Sequence, residues 1–270
     1  GLHSVVPGRA PRGLVLLLHG WEGSSESSYM RQTAAQMLDL GYAVFRLNFR
    51  DHGDSHHLNE GLFHSNRIEE VVRATCEVAR RWPGLPLSAA GYSLGGNFAL
   101  RLALRAPAAG LALRRVAAVC PVLDPAGTML QMEQGLPLYM RYFEHKWRRS
   151  LARKRELFPR VHGFGNEVLK LRMRALTEWM VLRHTDFATL DDYFDGYSVA
   201  GTRLEGLQVP TDVLMAADDP VVPVREFERI AEFPAVALEL AAHGGHCGFI
   251  EGVSLDGYAE RWITERLSAG

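Results

Sequence analysis

The stretch from Leu87 to Ala106, read L-S-A-A-G-Y-S-L-G-G-N-F-A-L-R-L-A-L-R-A, constrains the fold more than any other part of the chain. Leu87 to Ala90 is an apolar run of the length of a buried strand. Gly91-Tyr92-Ser93-Leu94-Gly95 follows, then a segment of helical apolar period that ends before Pro107. A G-x-S-x-G turn between strand and helix holds its serine on a sharp, strained bend, with the hydroxyl projecting from the end of the strand. The glycines on either side leave room for neighbouring chain. The helix that follows points its N–H groups and positive dipole end at the same place. Taken alone, the pentapeptide is equally compatible with a glycine-rich turn holding an incidental serine. The strand before it, the helix after it and the partners found downstream favour the nucleophile.

Strand and helix patterns alternate around this centre. Leu14 to Leu18 is continuously apolar, as in a strand buried on both faces of a parallel sheet. It runs into His19-Gly20-Trp21-Glu22-Gly23. A helix is expected from about Tyr29 to Leu40, with Gly41 as its C′ residue, and a strand from Tyr42 to Asn48. A polar loop containing R-D-H-G-D-S comes next. Asn66 with Glu69 reads as a capping box opening a helix to about Trp82, which Pro83-Gly84 ends. Further strands are expected at Val116 to Val119, Thr211 to Ala216 and Val236 to Leu240, and a last helix from about Leu255 to Leu267. The fold class that follows is α/β, a mostly parallel sheet with helices on both faces.

Between the fourth and fifth of these strands the character changes. Leu138 to His184 is helical in composition and carries 12 Lys/Arg against 4 Glu, about +8 in a chain whose net charge is −1. The division expected is a core of residues 1–123 and 208–270, with a helical cap inserted at 124–207. The near-zero net charge argues against nucleic acid or another polyanionic partner. With 270 residues and 47% hydrophobic content there is ample material for one core. Cys76, Cys120 and Cys247 are odd in number and far apart, so neither a disulfide frame nor a zinc cage is expected, and a reducing, cytoplasmic setting is the simpler one. No apolar run has spanning length and Gly1 to Gly13 holds no signal-peptide core. The chain starts at Gly1 without an initiator methionine, so Gly1 reads as a cut end with native residues expected before it.

A serine hydroxyl needs a base to take its proton, and the base needs a carboxylate to fix its tautomer and stabilise the imidazolium. In a sheet of this kind they should follow in the order Ser, Asp/Glu, His, each on a loop after a strand. Both appear. Ala217-Asp218-Asp219-Pro220-Val221-Val222-Pro223 follows one expected strand, and His243-Gly244-Gly245-His246-Cys247-Gly248-Phe249 follows the next. Two aspartates and two histidines compete for the roles on residue type alone.

The combination H-G-W-E-G-S-S, N-F-R, F-H-S, G-Y-S-L-G-G-N, D-Y-F-D-G-Y-S, A-D-D-P-V-V-P and G-G-H-C-G-F, in this order across residues 14–250, resembles the α/β-hydrolase superfamily. Within it the chain is most similar to the YheT-like branch, relatives of mammalian ABHD lipases and yeast ethanol acyltransferases. The resemblance implies Ser93 as nucleophile, Asp219 as acid by the D-x-V-V-P spacing, with Asp218 its competitor, and His246 as base by G-G-H, with His243 the alternative. It implies oxyanion donors in the backbone N–H groups of Trp21 and Leu94. Two features depart from the branch. Asp51 stands where the family loop usually has glycine, and only a stub such as Leu2 to Val6 is available for the first strands.

Asp51, His52, Asp54, His56 and His57 are metal-ligand types. Their R-D-H-G-D-S loop nevertheless matches a loop where many α/β-hydrolases have R-G-H-G-x-S, so loop packing is expected. His19 reads as a structural hydrogen-bonder, Cys247 as a neighbour of the base and Cys76 as core. The basic cap has two readings: a solvated cover whose apolar face lies over the site, or a face that docks on anionic lipid or steers acidic substrates. Tyr139, Tyr142, Phe143, Trp147, Leu151, Phe158, Trp179 and Met180 are candidates for an acyl pocket or for ordinary packing. The expected activity is cleavage of a small-molecule carboxylic ester of short to medium acyl chain through an acyl-enzyme, with no metal or organic cofactor. Acyl transfer, thioester or lipid hydrolysis and a non-catalytic binding protein are the alternatives.

Overall fold

The five residues Leu14–Leu18 are all buried to within 1% of full enclosure, so both faces of this strand must be covered. Burial of such side chains contributes about 1.5–3 kcal/mol each. The computed structural model describes residues 1–251 and 256–269. In chain order the elements are β1 (Leu2–Ser4), β2 (Leu14–Leu18), α1 (Ser28–Asp39), β3 (Ala43–Leu47), α2 (Ile68–Arg81), β4 (Leu87–Tyr92), α3 (Leu94–Arg105) and β5 (Leu113–Val119). Then come α4 (Pro125–Gln134), α5 (Pro137–Leu157), α6 (Met173–His184), α7 (Leu190–Tyr197), β6 (Thr211–Ala216), α8 (Phe227–Ile230), β7 (Val236–Ala241) and α9 (Tyr258–Ser268).

Among the described residues seven strands form one sheet in the order β1-β3-β2-β4-β5-β6-β7. Only β1 is antiparallel, pairing Leu2 to Arg46 and Ser4 to Val44 on the edge. The others are parallel, in register Leu18 to Gly91, Gly91 to Ala118 and Leu214 to Glu239. Parallel neighbours need crossovers, and the amphipathic helices supply them. Helix α1 lies against α9 and α2 against α3. The C-terminal ends of β4, β6 and β7 therefore open on one edge of the sheet, which is where this architecture places a ligand.

Three details differ from the sequence expectation. The capping box at Asn66 and Glu69 does not form: α2 starts at Ile68 with no side-chain cap. Asn66 instead donates its side-chain amide to the carbonyl of Tyr193 at 2.8 Å, so a long-range partner has displaced the local one. The basic helical block is two α-helices, because Pro159 follows Phe158 at the end of α5 and the connection to α6 holds only a 3₁₀ turn at Val168–Lys170. The last helix begins at Tyr258, and Leu255, its expected first residue, lies outside the described residues.

Helices α4 to α7 are fastened to the core by buried polar groups. Asn97 of α3 is fully buried and donates to the carbonyls of Val122 and Tyr197, both at 2.8 Å. Arg101 of α3, whose pKa burial lowers to about 10, donates to the carbonyl of Ser65 at 2.7 Å, and the Ser65 amide donates to the hydroxyl of Tyr193 in α7 at 3.0 Å. Among the described residues no helix is long and apolar enough to cross a membrane.

Candidate active site

The turn between β4 and α3 holds Ser93 at φ 54°, ψ −118°, a conformation that L residues adopt only when the surroundings enforce it. Two glycines enforce it here. A Cβ on Gly91 would overlap the carbonyl of Gly95, and a Cβ on Gly95 would overlap the carbonyls of Leu18 and His19. The chain can thus pass against the end of β2 only with glycine at both positions. The Ser93 amide donates to the carbonyl of Val119 at 2.8 Å, which fixes the turn to β5.

The loops after β6 and β7 meet this serine. His246 Nε2 lies 2.9 Å from Ser93 Oγ, and its Nδ1 lies 2.9 Å from Asp219 Oδ2. Asp219 is 6% exposed. Its second oxygen accepts from the amides of Val221 and Val222, at 2.8 and 3.0 Å. That arrangement fixes the carboxylate and so the imidazole: Nδ1 donates to Asp219, leaving Nε2 free to accept from the hydroxyl.

Asp218, the adjacent competitor, points elsewhere. Its Oδ1 accepts from the amides of Gly244 and Gly245, both at 2.9 Å, and those bonds, led by the one from Gly245, lower its pKa. It shapes the loop that carries His246. His243 is exposed and lies 3.4 Å from Asp218, not near Ser93's partners.

The loop after β2 is held by two residues. His19 is fully buried; its Nε2 accepts from the amide of Phe49 at 3.2 Å, so its Nδ1 carries the proton donated to the Gly20 carbonyl at 2.8 Å. Burial lowers its pKa to about 4, which keeps the ring neutral and the bond in place. Tyr29 Oη accepts from the amide of Gly20 at 3.0 Å. Trp21 then leans its ring on Phe143, centroids 5.4 Å apart, and on the edge of Trp147 at 5.3 Å. The amides of Trp21 and Leu94 donate to no other group among the described residues.

Ser93 opens into a cavity of about 760 Å³, mouth included, between the sheet edge and helices α4 to α7. Its lining includes Met129, Met132, Phe143, Trp147, Met180 and Phe194, and no Asp, Glu, Lys or Arg side chain among the described residues. Of the aromatic and aliphatic candidates seen in the sequence, Phe143, Trp147 and Met180 reach this wall; Tyr139, Tyr142, Leu151, Phe158 and Trp179 do not. The methionines of α4 were missed. Their spacing is that of any packed helix, and only the tertiary fold turns them inward. The Thr128 hydroxyl and His64 Nδ1 carry a signal of another kind, buried polar atoms on the cavity wall without a hydrogen-bond partner among the described residues.

The loop histidines do not converge. His52 contacts the Arg50 carbonyl at 2.7 Å and His56 the hydroxyl of Ser150 at 2.8 Å, while Asp51 binds Lys154 at 2.6 Å. Lys154 was missed as well; within a run of basic residues nothing distinguishes the one that is buried.

The comparisons agree with this architecture. The family model described as Hydrolase_4, serine aminopeptidase, S33, matches residues 9–252. YheT of Escherichia coli K12, named for an inferred esterase activity, is 26% identical over 257 residues, covering 94% of this chain and 74% of its own. Mouse phospholipase ABHD3 is 26% identical over 255 residues, covering 90% of this chain and 59% of its own, so the chain spans about three fifths of that relative. A solved Pyrococcus furiosus esterase superposes with a TM-score of 0.60 at 17% identity, over 96% of this chain and 80% of that one, which speaks for the fold. A serine on a strained strand-to-helix turn, a parallel sheet that opens beside it and a family match over nearly the whole chain lead to one conclusion: the chain belongs to the Hydrolase_4 family of α/β-hydrolases and is YheT-like.

Proposed function

We propose that this hydrolase cleaves carboxylic esters of short- to medium-chain acids through an acyl-enzyme on Ser93. The reading rests on the unbroken line of hydrogen bonds from Ser93 Oγ through His246 to Asp219, each 2.9 Å long. His246 takes the serine proton as Oγ attacks the carbonyl carbon. The amides of Trp21 and Leu94 receive the oxyanion, each such donor contributing about 10²–10³ in kcat. His246 returns the proton to the leaving alcohol, then activates water to release the acid. The helices of residues 124–207 act as a cap on a core of 1–123 and 208–270, and their inward face takes the acyl chain.

The family description names an aminopeptidase, but an aminopeptidase must hold the substrate's α-ammonium group. The cavity lining offers no carboxylate for it among the described residues, which favours an uncharged acyl group. A phospholipid acyl ester is a second reading, favoured by the name of the ABHD3 relative and by Lys146, Arg149 and Arg153 beside a groove at the outer edge of α5.

The test is a series of p-nitrophenyl esters of increasing acyl length, with Ser93→Ala as control and ethanol added to one arm. Turnover that falls off beyond medium chains and vanishes in Ser93→Ala supports the reading. Ethyl ester formed in place of free acid moves the reaction to acyl transfer. Hydrolysis that survives Ser93→Ala overturns the assignment. For the phospholipid reading, release of fatty acid from phosphatidylcholine micelles at rates matching the soluble esters is the expected sign.

A further inference from the structure

Two thiols that the triad does not use gather beside its histidine. The sulfurs of Cys120 and Cys247 and a ring nitrogen of His246 lie within 4.8 Å of one another. The two cysteines are 127 residues apart in sequence, and the fold brings them together because the loop that follows β7 reaches past β6 to the end of β5. Both sit in left-handed backbone, at φ 43° and φ 62°. That conformation is costly for a residue other than glycine, and strain of this kind gathers at functional sites. Cys120 is fully buried, and Cys247 and His246 are partly so. Each thiol lies close to a backbone carbonyl, Cys120 Sγ 3.9 Å from the Gly245 oxygen and Cys247 Sγ 3.8 Å from that of Val119. These are weak contacts that cost little to give up.

We propose that Cys120, Cys247 and His246 form an inhibitory site for a thiophilic divalent cation of the zinc and cadmium class. Two thiolates and one imidazole are the donor set such ions select. Bonds of about 2.3 Å to sulfur and about 2.0 Å to nitrogen place tetrahedral donors about 3.5–3.8 Å apart. The three atoms therefore need to close by about 1 Å, within reach of side-chain rotation. Binding releases both thiol protons to solvent as two metal–sulfur bonds form, with no change of oxidation state. The carboxylate of Asp219, 2.9 Å from His246 Nδ1, sets a negative charge beside the cluster and favours a cation there. Whichever ring nitrogen the ion takes, His246 loses either its bond to Ser93 or its bond to Asp219. A bound ion thus disables the base without occupying the acyl cavity. The site stands on geometry alone; its inhibitory consequence rests on the hydrolytic reading above.

Cadmium added to the reduced, metal-free protein provides the test. Thiolate ligation gives a sulfur-to-cadmium charge-transfer absorption in the ultraviolet, which does not depend on turnover. The expected result is absorption that saturates at one equivalent, lost in Cys120→Ser and in Cys247→Ser and kept in Cys76→Ser. Ester hydrolysis falls over the same titration, and each of the first two variants raises the half-inhibiting cadmium or zinc concentration at least tenfold. In the unsubstituted protein, metal should protect Cys120 and Cys247 from alkylation while Cys76 reacts as before, a measurement that holds if a variant fails to fold. Absorption that persists in Cys120→Ser, inhibition of both variants at the same metal concentration as the parent, or alkylation unaffected by metal each overturns the proposal. If the protein hydrolyses no ester, the absorption and the alkylation still decide the site.

Discussion

Lys154 is the cation this fold can least easily lose. It is wholly buried, and its ammonium donates to Asp51 Oδ1 at 2.6 Å, to the His56 carbonyl at 3.1 Å and to the Asn59 carbonyl. Asp51 is 4% exposed, and its other oxygen accepts from the Phe63 amide at 2.8 Å. The pair ties α5 to the loop after β3. Replacing Lys154 with Met leaves a buried carboxylate with one amide partner, which costs about 3–5 kcal/mol. Asp51 stands at φ 58°, so Asp51→Gly regains about 1 kcal/mol of backbone strain and strands the ammonium instead. The double variant buries no charge and should be nearly as stable as the parent, a coupling of at least about 2 kcal/mol between two contacting residues. At roughly 2–4 °C per kcal/mol for a chain of this size, Lys154→Met lowers Tm by on the order of 10 °C. Trp147 and Phe143 lie earlier on the same helix and wall the cavity, so the KM for longer esters should rise as well. Thermal unfolding of the four proteins of this cycle is the assay. A loss under about 2 °C for Lys154→Met, or strict additivity in the double variant, refutes the reasoning.

Other perturbations separate neighbouring residues. Asp219→Asn should lower kcat by about 10⁴ by leaving His246 in the wrong tautomer, while Asp218→Asn, which only loosens the Gly244–Gly245 turn, should cost far less; equal losses on ester turnover contradict the assignment. Gly95→Ala drives a Cβ into the backbone carbonyls of Leu18 and His19 and should cost well over about 3 kcal/mol or prevent folding. Gly110→Ala, at φ 68° with no atom near its Cβ, should cost about 1 kcal/mol, and comparable Tm values for the two would refute the packing argument. His19 has a folded pKa of about 4 against an ordinary 6.5. The unfolded chain therefore binds its proton first, and the stability His19 contributes is complete above pH 6.5 and lost as pH falls toward 4. The loss is about 3 kcal/mol by linkage, and a Tm that is flat between pH 7 and 4.5 would contradict it.

The parts of this molecule that were legible in the sequence are those fixed by local chemistry. Leu14–Leu18 is apolar at every position because both its faces are covered, and a run of that kind can be read directly. The Ser93 turn is legible because its two glycines are demanded by backbone overlap. What stayed hidden depends on contacts far apart in the chain. Asn66 had the right spacing for a helix cap and was taken instead by Tyr193, 127 residues on. Lys154 looked like its basic neighbours. Cys120 and Cys247 looked unrelated, since spacing carries no information on which loop folds back over which strand end. Asp51 shows the two kinds together: the departure from glycine was visible, while its reason, a side chain that binds Lys154 from a left-handed residue, appears only in the fold.

Whether Ser93 is an activated nucleophile is decided by labelling with a fluorophosphonate and mapping the adduct by mass spectrometry. A single adduct on Ser93, absent in Ser93→Ala and formed far more slowly in His246→Ala, is the expected result. An adduct on another residue, or labelling that persists in folded Ser93→Ala, would contradict it.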